Sequence, residues 1–283
     1  MTRHYKTYEA VLNLGDFLGR VKAVREDLAG QSLKDADRAG EEDTIWFRGQ
    51  PRSKLGLTPE IYRDPFEGAA EEEIRQEFQA RALQLVRGRL PQTEWEWYFL
   101  MRHYGVPTRL LDWTDNPLVA LFFAVDESVR KAVNASEDSC VWVLNPWSLN
   151  RALGMDIGGP MLPDWKEARK WLPDLEGAFS GKSVRKHKPA SIDPTHVDRR
   201  VAAQASRFVI FGTNKDMSRM RQQTSKRGPR VMLGKIPIPA EHVELLSEEL
   251  ERAGVTYSSL FPDLSGLGED IRRKWRKKKD RSI

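Results

Sequence analysis

Six polar side chains with acid, base or ligand chemistry are concentrated in one short stretch of the sequence. This stretch, "HYGVPTRLLDWTDNPLVALFFAV" at residues 103–125, contains His103, Arg109, Asp112, Thr114, Asp115 and Asn116. An earlier stretch, "EEDTIWFRGQP" at residues 41–51, places Arg48 directly after three apolar residues. Polar groups in apolar surroundings cost free energy unless they are hydrogen-bonded or used. We therefore expect Arg48 and the 112–116 turn to lie at one cleft.

The elements that would position these residues are a short strand and a buried helix. Leu110 and Leu111 form the apolar centre of the predicted strand, which ends in polar residues. Asn116 and Pro117 are a preferred cap and a preferred first residue of a helix. The run "LVALFFAV" is apolar on every side, so we expect this helix to be buried.

Three further helices are predicted from hydrophobic periodicity. The first has an apolar face formed by Leu12, Leu14, Phe17, Val21 and Val24. The second has an apolar stripe formed by Ile74, Phe78, Ala82 and Leu85. The third runs between Thr93 as its N-cap and Gly105 as its C-terminal stop.

The predicted fold class is α+β, with a split, mostly antiparallel sheet flanked by helices. Candidate strands are residues 44–48, 108–112, 139–144, 205–212 and 230–236. We divide the chain into an N-terminal helical segment (1–40), a main domain (41–268) and a basic tail (269–283). Within the main domain, residues 154–200 are predicted to be an insertion near the pocket. The insertion is rich in proline, glycine and charge, as segments that position substrates often are.

Composition excludes several classes of protein. The chain of 283 residues is 40% apolar and 31% charged, which is typical of a globular protein with a sizeable core. No apolar run approaches the roughly 18 residues that span a bilayer, and the N-terminus lacks a signal-peptide pattern. We expect a cytoplasmic protein without a membrane partner. The single cysteine, Cys140, and five scattered histidines give no metal-binding spacing, so no metal is predicted.

Two basic segments account for much of the net charge of +5. They are "GKSVRKHKPA" at 181–190 and the run at 271–279, which contains Trp275. Basic clusters attract phosphate backbones, and a tryptophan can stack on an unpaired base. These segments predict a nucleic-acid partner, although a solvated charge run is the alternative for the second one.

Five blocks of the sequence together resemble the FRG domain family, which is common in bacteria and phages. The blocks are "WFRGQ", "LMRHYGVPTRLLDWTDNPLVALFFAV", "VWVLNP", "RVAAQASRFVIF" and "GVTYSSLFPDLSGL". The resemblance covers roughly residues 40–268, and the five blocks occur in the same order as in the family. It identifies the family more firmly than the chemistry.

The same blocks are similar in layout to the ADP-ribosyltransferase fold. That fold carries an arginine on its first core strand, where the guanidinium holds the phosphates of NAD. The resemblance assigns this role to Arg48, with Gly49 allowing close approach of the dinucleotide. It also implies NAD as a co-substrate. The remaining implied cofactor-binding residues are Gln50, His103, Arg109 and Asn116.

The implied catalytic residues are Arg48, Asp112, Thr114 and Gln204. Asp112 and Thr114 correspond to the polar strand that precedes the family's helix, here "LLDWTDNPLVALFFA". Gln204 in "VAAQASRFVIF" stands where the fold has its catalytic glutamate. A neutral amide stabilises an oxocarbenium-like transition state less well than a carboxylate. Either another acid such as Asp112 takes this role, or the fold binds without catalysing.

Three functions therefore remain open. The first is NAD-dependent ADP-ribosyl transfer to a macromolecular acceptor, nucleic acid being favoured by the basic segments. The second is a non-catalytic nucleotide or nucleic-acid sensor. The third is a nuclease in which Asp112 and Asp115 help to hold magnesium. Arg48 also has a purely structural alternative, which is an interior ion pair with Asp112.

Overall fold

The fold is α+β, with one large sheet that carries helices on both faces. This computed structural model describes residues 5–29, 44–66, 71–86, 89–126, 136–153, 159–172, 188–194, 202–212, 214–220, 224–225, 228–229 and 232–280. Within these ranges, the helices are α1 (Leu14–Ala29), α2 (Glu71–Ala82), α3 (Glu94–His103), α4 (Pro117–Val125), α5 (Pro146–Arg151), α6 (Val243–Arg252), α7 (Tyr257–Leu260) and α8 (Leu264–Asp280). None of these helices is long and apolar enough to cross a membrane.

The described strands form a seven-stranded sheet and a separate two-stranded hairpin. They are β1 (Lys6–Thr7), β2 (Trp46–Gln50), β3 (Leu110–Thr114), β4 (Ser139–Leu144), β5 (Ala190–Ile192), β6 (Ser206–Ile210), β7 (Thr224–Ser225), β8 (Gly228–Pro229) and β9 (Leu233–Ile238). The order in the large sheet is β1-β9-β4-β2-β3-β6-β5. Every neighbouring pair is antiparallel except β1 and β9.

The two faces of the sheet pack against different apolar cores, because side chains alternate along a strand. Along β4, Val141 and Val143 face a core that contains residues of α1, α4 and α6. Cys140, Trp142 and Leu144 face the opposite core. Helix α3 packs at the far end of the sheet, where Phe99 stacks on Phe208 of β6 with ring centroids 5.2 Å apart.

Local signals explain where the central helices begin and end. The Thr93 side chain accepts a hydrogen bond from the Glu96 amide at the start of α3, and Gly105 follows the helix with φ of +75°. The Asn116 side chain accepts one from the Leu118 amide at the start of α4. Helix α4 is largely buried. These four sequence expectations are confirmed.

Several boundaries differ from the sequence expectation. Leu12 is 44% exposed, because it precedes α1 and Val11 occupies the core instead. Leu85 is 78% exposed, because α2 has already ended at Ala82. Three strands begin later in the chain than the sequence predicts. The first residue is two positions later in β2 and β3 and three positions later in β9.

The outer segments of the chain also contribute to the sheet. The segment 154–200 supplies β5, which is the last strand of the sheet. The N-terminal segment supplies β1 as well as α1. The expected basic tail is helical up to residue 280, as part of α8. Most of the basic segment 181–190 lies outside the described residues.

Candidate functional site

Arg48 lies on β2 at the place where the large sheet separates. Strand β2 pairs with β4 along its whole length, but it pairs with β3 only between Phe47 and Thr114. Beyond this single pair, the Arg48 guanidinium donates from Nη1 to the main-chain carbonyl of Asp112, at 2.7 Å. The arginine side chain therefore replaces the missing main-chain contact between the two strands. The expected proximity of Arg48 and Asp112 is confirmed.

Asp112 is held mainly by an arginine that the sequence did not single out. Arg102, near the end of α3, donates from Nε and Nη2 to the Asp112 carboxylate at 2.7–3.0 Å. Its Nη1 donates to Glu60 at 2.8 Å. The Arg48 guanidinium lies 3.7 Å from the same Asp112 carboxylate. The site is thus a cluster of arginines and carboxylates with Asp112 at its centre.

Charge compensation in this cluster is uneven. Burial lowers the pKa of Arg48 to about 10; Asp112 opposes this shift, but the charges of Arg102 and Arg63 add to it. By contrast, the charge of Asp112 raises the pKa of Arg102 above its ordinary value, despite burial. Asp112 therefore mainly compensates Arg102. Arg48 is left as a charged group that the fold does not fully stabilise.

The Asp112 carboxylate stays ionised in the folded protein. Its loss of hydration alone would raise its pKa, but the charge and hydrogen bonds of Arg102, followed by the charge of Arg48, lower it below 3.8. The Asp112 side chain nevertheless remains 42% exposed. The site therefore presents a negative charge to solvent beside the arginines at neutral pH.

This ionisation predicts a pH dependence of stability. Because the folded-state pKa is lowered, the contribution of Asp112 is fully present above pH 3.8 and is lost as the pH falls through the lowered value. We expect wild type to exceed Asp112→Asn in unfolding free energy at pH 7 by on the order of 1 kcal/mol, discounted for solvent exposure. Urea unfolding of both proteins between neutral pH and the acid range measures this gap. A gap that did not shrink below pH 3.8 would contradict the assignment.

Gly49 and Gln50, the two residues that follow Arg48, have structural roles. A Cβ on Gly49 would lie 1.8 Å from the Ala120 carbonyl oxygen and 2.6 Å from the Ala124 amide nitrogen. The space beside Gly49 is therefore filled by α4 and does not admit a dinucleotide. The Gln50 amide donates to the carbonyls of Arg52 and Leu55 and so fixes the loop that follows β2.

Thr114, Asn116 and Gln204 organise the turn between β3 and α4. The Thr114 hydroxyl donates to the Gln204 carbonyl at 2.7 Å and accepts from the Asn116 amide at 3.0 Å. Gln204 lies before β6 rather than on it, because Ala205 turns the chain with φ of +45°. The Gln204 side-chain amide donates to the Leu260 carbonyl at 3.2 Å.

Arg109 and His103 occupy other surroundings. Arg109 is buried, pairs with Glu71, and donates to the carbonyls of Phe211 and Trp171. Burial alone would lower the pKa of Arg109, but Glu71 and nearby tyrosines raise it above the ordinary value. These contacts assign Arg109 to the core. His103 ends α3, and its ring stacks on Tyr104 with centroids 4.9 Å apart.

Comparison with known proteins identifies the part of the chain that holds Arg48, Arg102 and Asp112. No curated protein and no solved structure matches the chain. Residues 43–132 match the family model of the FRG domain. This range begins just before β2 and extends past α4, so it contains the whole arginine–carboxylate cluster. The match therefore places residues 43–132 in the FRG domain family.

Proposed function

We propose that the arginine–carboxylate cluster around Arg48 binds the phosphates of NAD and that the protein transfers ADP-ribose to a macromolecular acceptor. The observation that carries this proposal is the incompletely compensated charge of Arg48. The charges of Arg102 and Arg63 act on that of Arg48, and two carboxylates, of Asp112 and Glu60, pair with Arg102. A phosphate would supply the missing negative charge and accept two parallel hydrogen bonds from a guanidinium.

The order of the strands supports the resemblance to ADP-ribosyltransferases. That resemblance concerns three strands, which carry the phosphate-binding arginine, a polar cluster and the catalytic acid. The corresponding strands here, β2, β3 and β6, are consecutive in the sheet. The sheet is also interrupted between β2 and β3, beside Arg48. An ADP-ribosyltransferase-like fold is therefore part of the proposal.

The proposed reaction exchanges one bond at the ribose C1′ atom. The bond between C1′ and the nicotinamide nitrogen breaks, and nicotinamide leaves with the bonding electrons. A nucleophilic oxygen or nitrogen of the acceptor forms the new bond to C1′ and releases its proton. An anionic side chain stabilises the positive charge that develops on the ribose in between. We assign this electrostatic role to Asp112, because it is ionised and partly open to solvent.

Nucleic acid is the proposed acceptor class, on the grounds of the net charge of +5 and the basic segment 181–190. A phosphate-rich acceptor would approach a positively charged protein at an increased rate.

A non-catalytic nucleotide sensor is the second candidate, and Gln204 favours it. An amide replaces the carboxylate at this position, and its Nε2 donates to the Leu260 carbonyl. Gln204 therefore has a structural contact that does not require catalysis. In this case the cleft would bind NAD or a related nucleotide without breaking it.

The nuclease alternative receives less support from the geometry. Both of its proposed magnesium ligands are paired with arginines, Asp112 with Arg102 and Asp115 with Arg207 at 2.6 Å. Among the described residues, no group of three or more potential metal ligands is close enough together to hold an ion.

The test combines binding and turnover for the wild-type protein. We expect calorimetry to show NAD binding, chromatography to show nicotinamide release, and mass spectrometry to show one added ADP-ribose on an oligonucleotide acceptor. Binding without nicotinamide release would replace the enzyme with the sensor. Product on protein but not on the oligonucleotide would overturn only the acceptor class. Absence of NAD binding would overturn the proposed function.

A further inference from the structure

Helix α8 packs on the protein through its polar side. Gly266 is buried there, and the helix approaches so closely that a Cβ on this residue would lie 1.9 Å from the Phe261 carbonyl oxygen. One turn later, the Asp270 carboxylate accepts hydrogen bonds from the amides of Tyr257 and Ser258 at 3.0 and 2.9 Å. Arg273 then donates to the buried Asp126 at 2.8 Å. These contacts lie three or four residues apart and therefore share one face of the helix.

The apolar side of α8 faces away from the protein. Leu264, Leu267, Ile271 and Trp275 also follow a spacing of three and four residues, and they are 86%, 49%, 50% and 63% exposed. At 3.6 residues per turn, this stripe lies roughly opposite to the face of Gly266, Asp270 and Arg273. A helix that packs on a globular core normally has the reverse arrangement. The outward stripe is therefore not explained by the fold of the chain.

Basic residues flank this stripe. Arg272, Lys274 and Arg276 are interspersed with its apolar positions, and residues 277–279 are lysines in the sequence. A helix with an apolar side bearing leucine and tryptophan and a lysine- and arginine-rich polar side lies in the interface of a bilayer. Anionic headgroups attract basic residues that lie near the membrane surface.

We infer that α8 docks on an anionic lipid surface, with its axis parallel to the membrane and Leu267, Ile271 and Trp275 inserted between the headgroups. Nucleic acid is the less suitable occupant, because it would use the charges and Trp275 but would leave three aliphatic side chains exposed to water. A second copy of α8 is also unfavourable, because it would bring two basic helices together. This inference does not depend on the proposed transfer of ADP-ribose.

The inference is tested by flotation of the full chain with vesicles of phosphatidylcholine, with and without phosphatidylserine. We expect binding only when phosphatidylserine is present. The double variant Leu267→Ser with Ile271→Ser should bind at least about tenfold more weakly, because two partly exposed aliphatic side chains no longer enter the interface. The variant Lys274→Gln with Arg276→Gln should weaken binding and reduce its sensitivity to salt.

A matched control variant replaces exposed aliphatic side chains by serine on a different surface of the protein. Leu18 of α1 and Leu245 of α6 are 47% and 43% exposed, close to the values for Leu267 and Ile271. Leu18→Ser with Leu245→Ser should leave vesicle binding unchanged. Thermal unfolding of every variant checks that it is folded at the assay temperature, which we expect because each altered residue is exposed.

Three outcomes would overturn the inference. One is equal vesicle binding by wild type and the Leu267→Ser, Ile271→Ser variant, which would reduce the contact to charge alone. Another is binding to a single-stranded oligonucleotide with no binding to either vesicle. The last is a dimer that the same double variant dissociates, again without vesicle binding.

Discussion

Replacement of Arg48 by methionine is expected to eliminate the NAD-dependent product while leaving the unfolding free energy within about 1 kcal/mol of the wild-type value. The fold disfavours the charged form of Arg48, as its lowered pKa shows, so an apolar side chain of similar length removes an unfavourable burial. Asp112 stays paired with Arg102 and is not left as a lone charge. The losses are the hydrogen bond to the Asp112 carbonyl, which contributes about 1 kcal/mol, and a partly exposed ion pair with the Asp112 carboxylate at 3.7 Å, which the removed burial of the charge offsets.

The variant Arg48→Lys tests whether phosphate binding needs only the positive charge of Arg48 or also the planar shape of its guanidinium. An ammonium retains the positive charge but cannot form two parallel hydrogen bonds with a phosphate, so we expect product formation to fall by about a hundredfold or more. Nicotinamide release and acceptor mass measure activity, and urea unfolding measures stability. Normal activity in Arg48→Met would exclude Arg48 from phosphate binding. A large loss of stability without any product from wild type would make Arg48 a structural residue.

Arg109→Met is the matched control for Arg48→Met. Arg109 is also buried, but its pKa is raised and it neutralises Glu71 inside the protein. Its removal leaves a buried carboxylate without its partner, which typically costs about 3 to 5 kcal/mol. The two substitutions are chemically identical. They should therefore have very different effects on the unfolding free energy, measured by urea.

Gly49→Ala is expected to destabilise the protein by about 3 kcal/mol or more, because the added methyl group meets main-chain atoms of α4 that no rotamer change can move. Helix α4 would have to withdraw from β2 and disturb the core beneath it. Thermal and urea unfolding measure this loss, and far-ultraviolet circular dichroism shows whether the variant still folds.

Gly19→Ala is the control for this substitution. Gly19 lies on the exposed side of α1, and a Cβ there would have no neighbour within 4 Å. Alanine should stabilise this helix by about 0.5 to 1 kcal/mol. A Gly49→Ala protein as stable as wild type would show that β2 and α4 are not in close contact.

The parts of the fold that were predictable depend on local sequence. Thr93, Gly105 and the Asn116–Pro117 pair act on residues within one turn of themselves, so their effect is visible in a short window. The apolar run of α4 predicts burial for the same reason. The sequence also predicts both ends of β4 and of β6 to within two residues of their positions in the structure.

The parts that were missed depend on contacts between distant segments. Arg102 resembles an ordinary basic residue in the last turn of α3, and only the folded chain shows that it joins Glu60 to Asp112. Gly49 follows a plausible ligand-binding arginine, but its role is set by Ala120, which is remote in sequence. Strands β1 and β5 have two and three residues, too few to establish an alternating pattern.

The single register pair between β2 and β3 makes the Arg48 side chain a mechanical connection as well as a candidate ligand. Strands β1, β9, β4 and β2 lie on one side of this pair, and β3, β6 and β5 lie on the other; we treat these two groups as units of the sheet. An anion that drew Arg48 away from the Asp112 carbonyl would loosen the join between these units. Thermodynamic reciprocity then requires that any force separating the units also strengthens the binding of that anion.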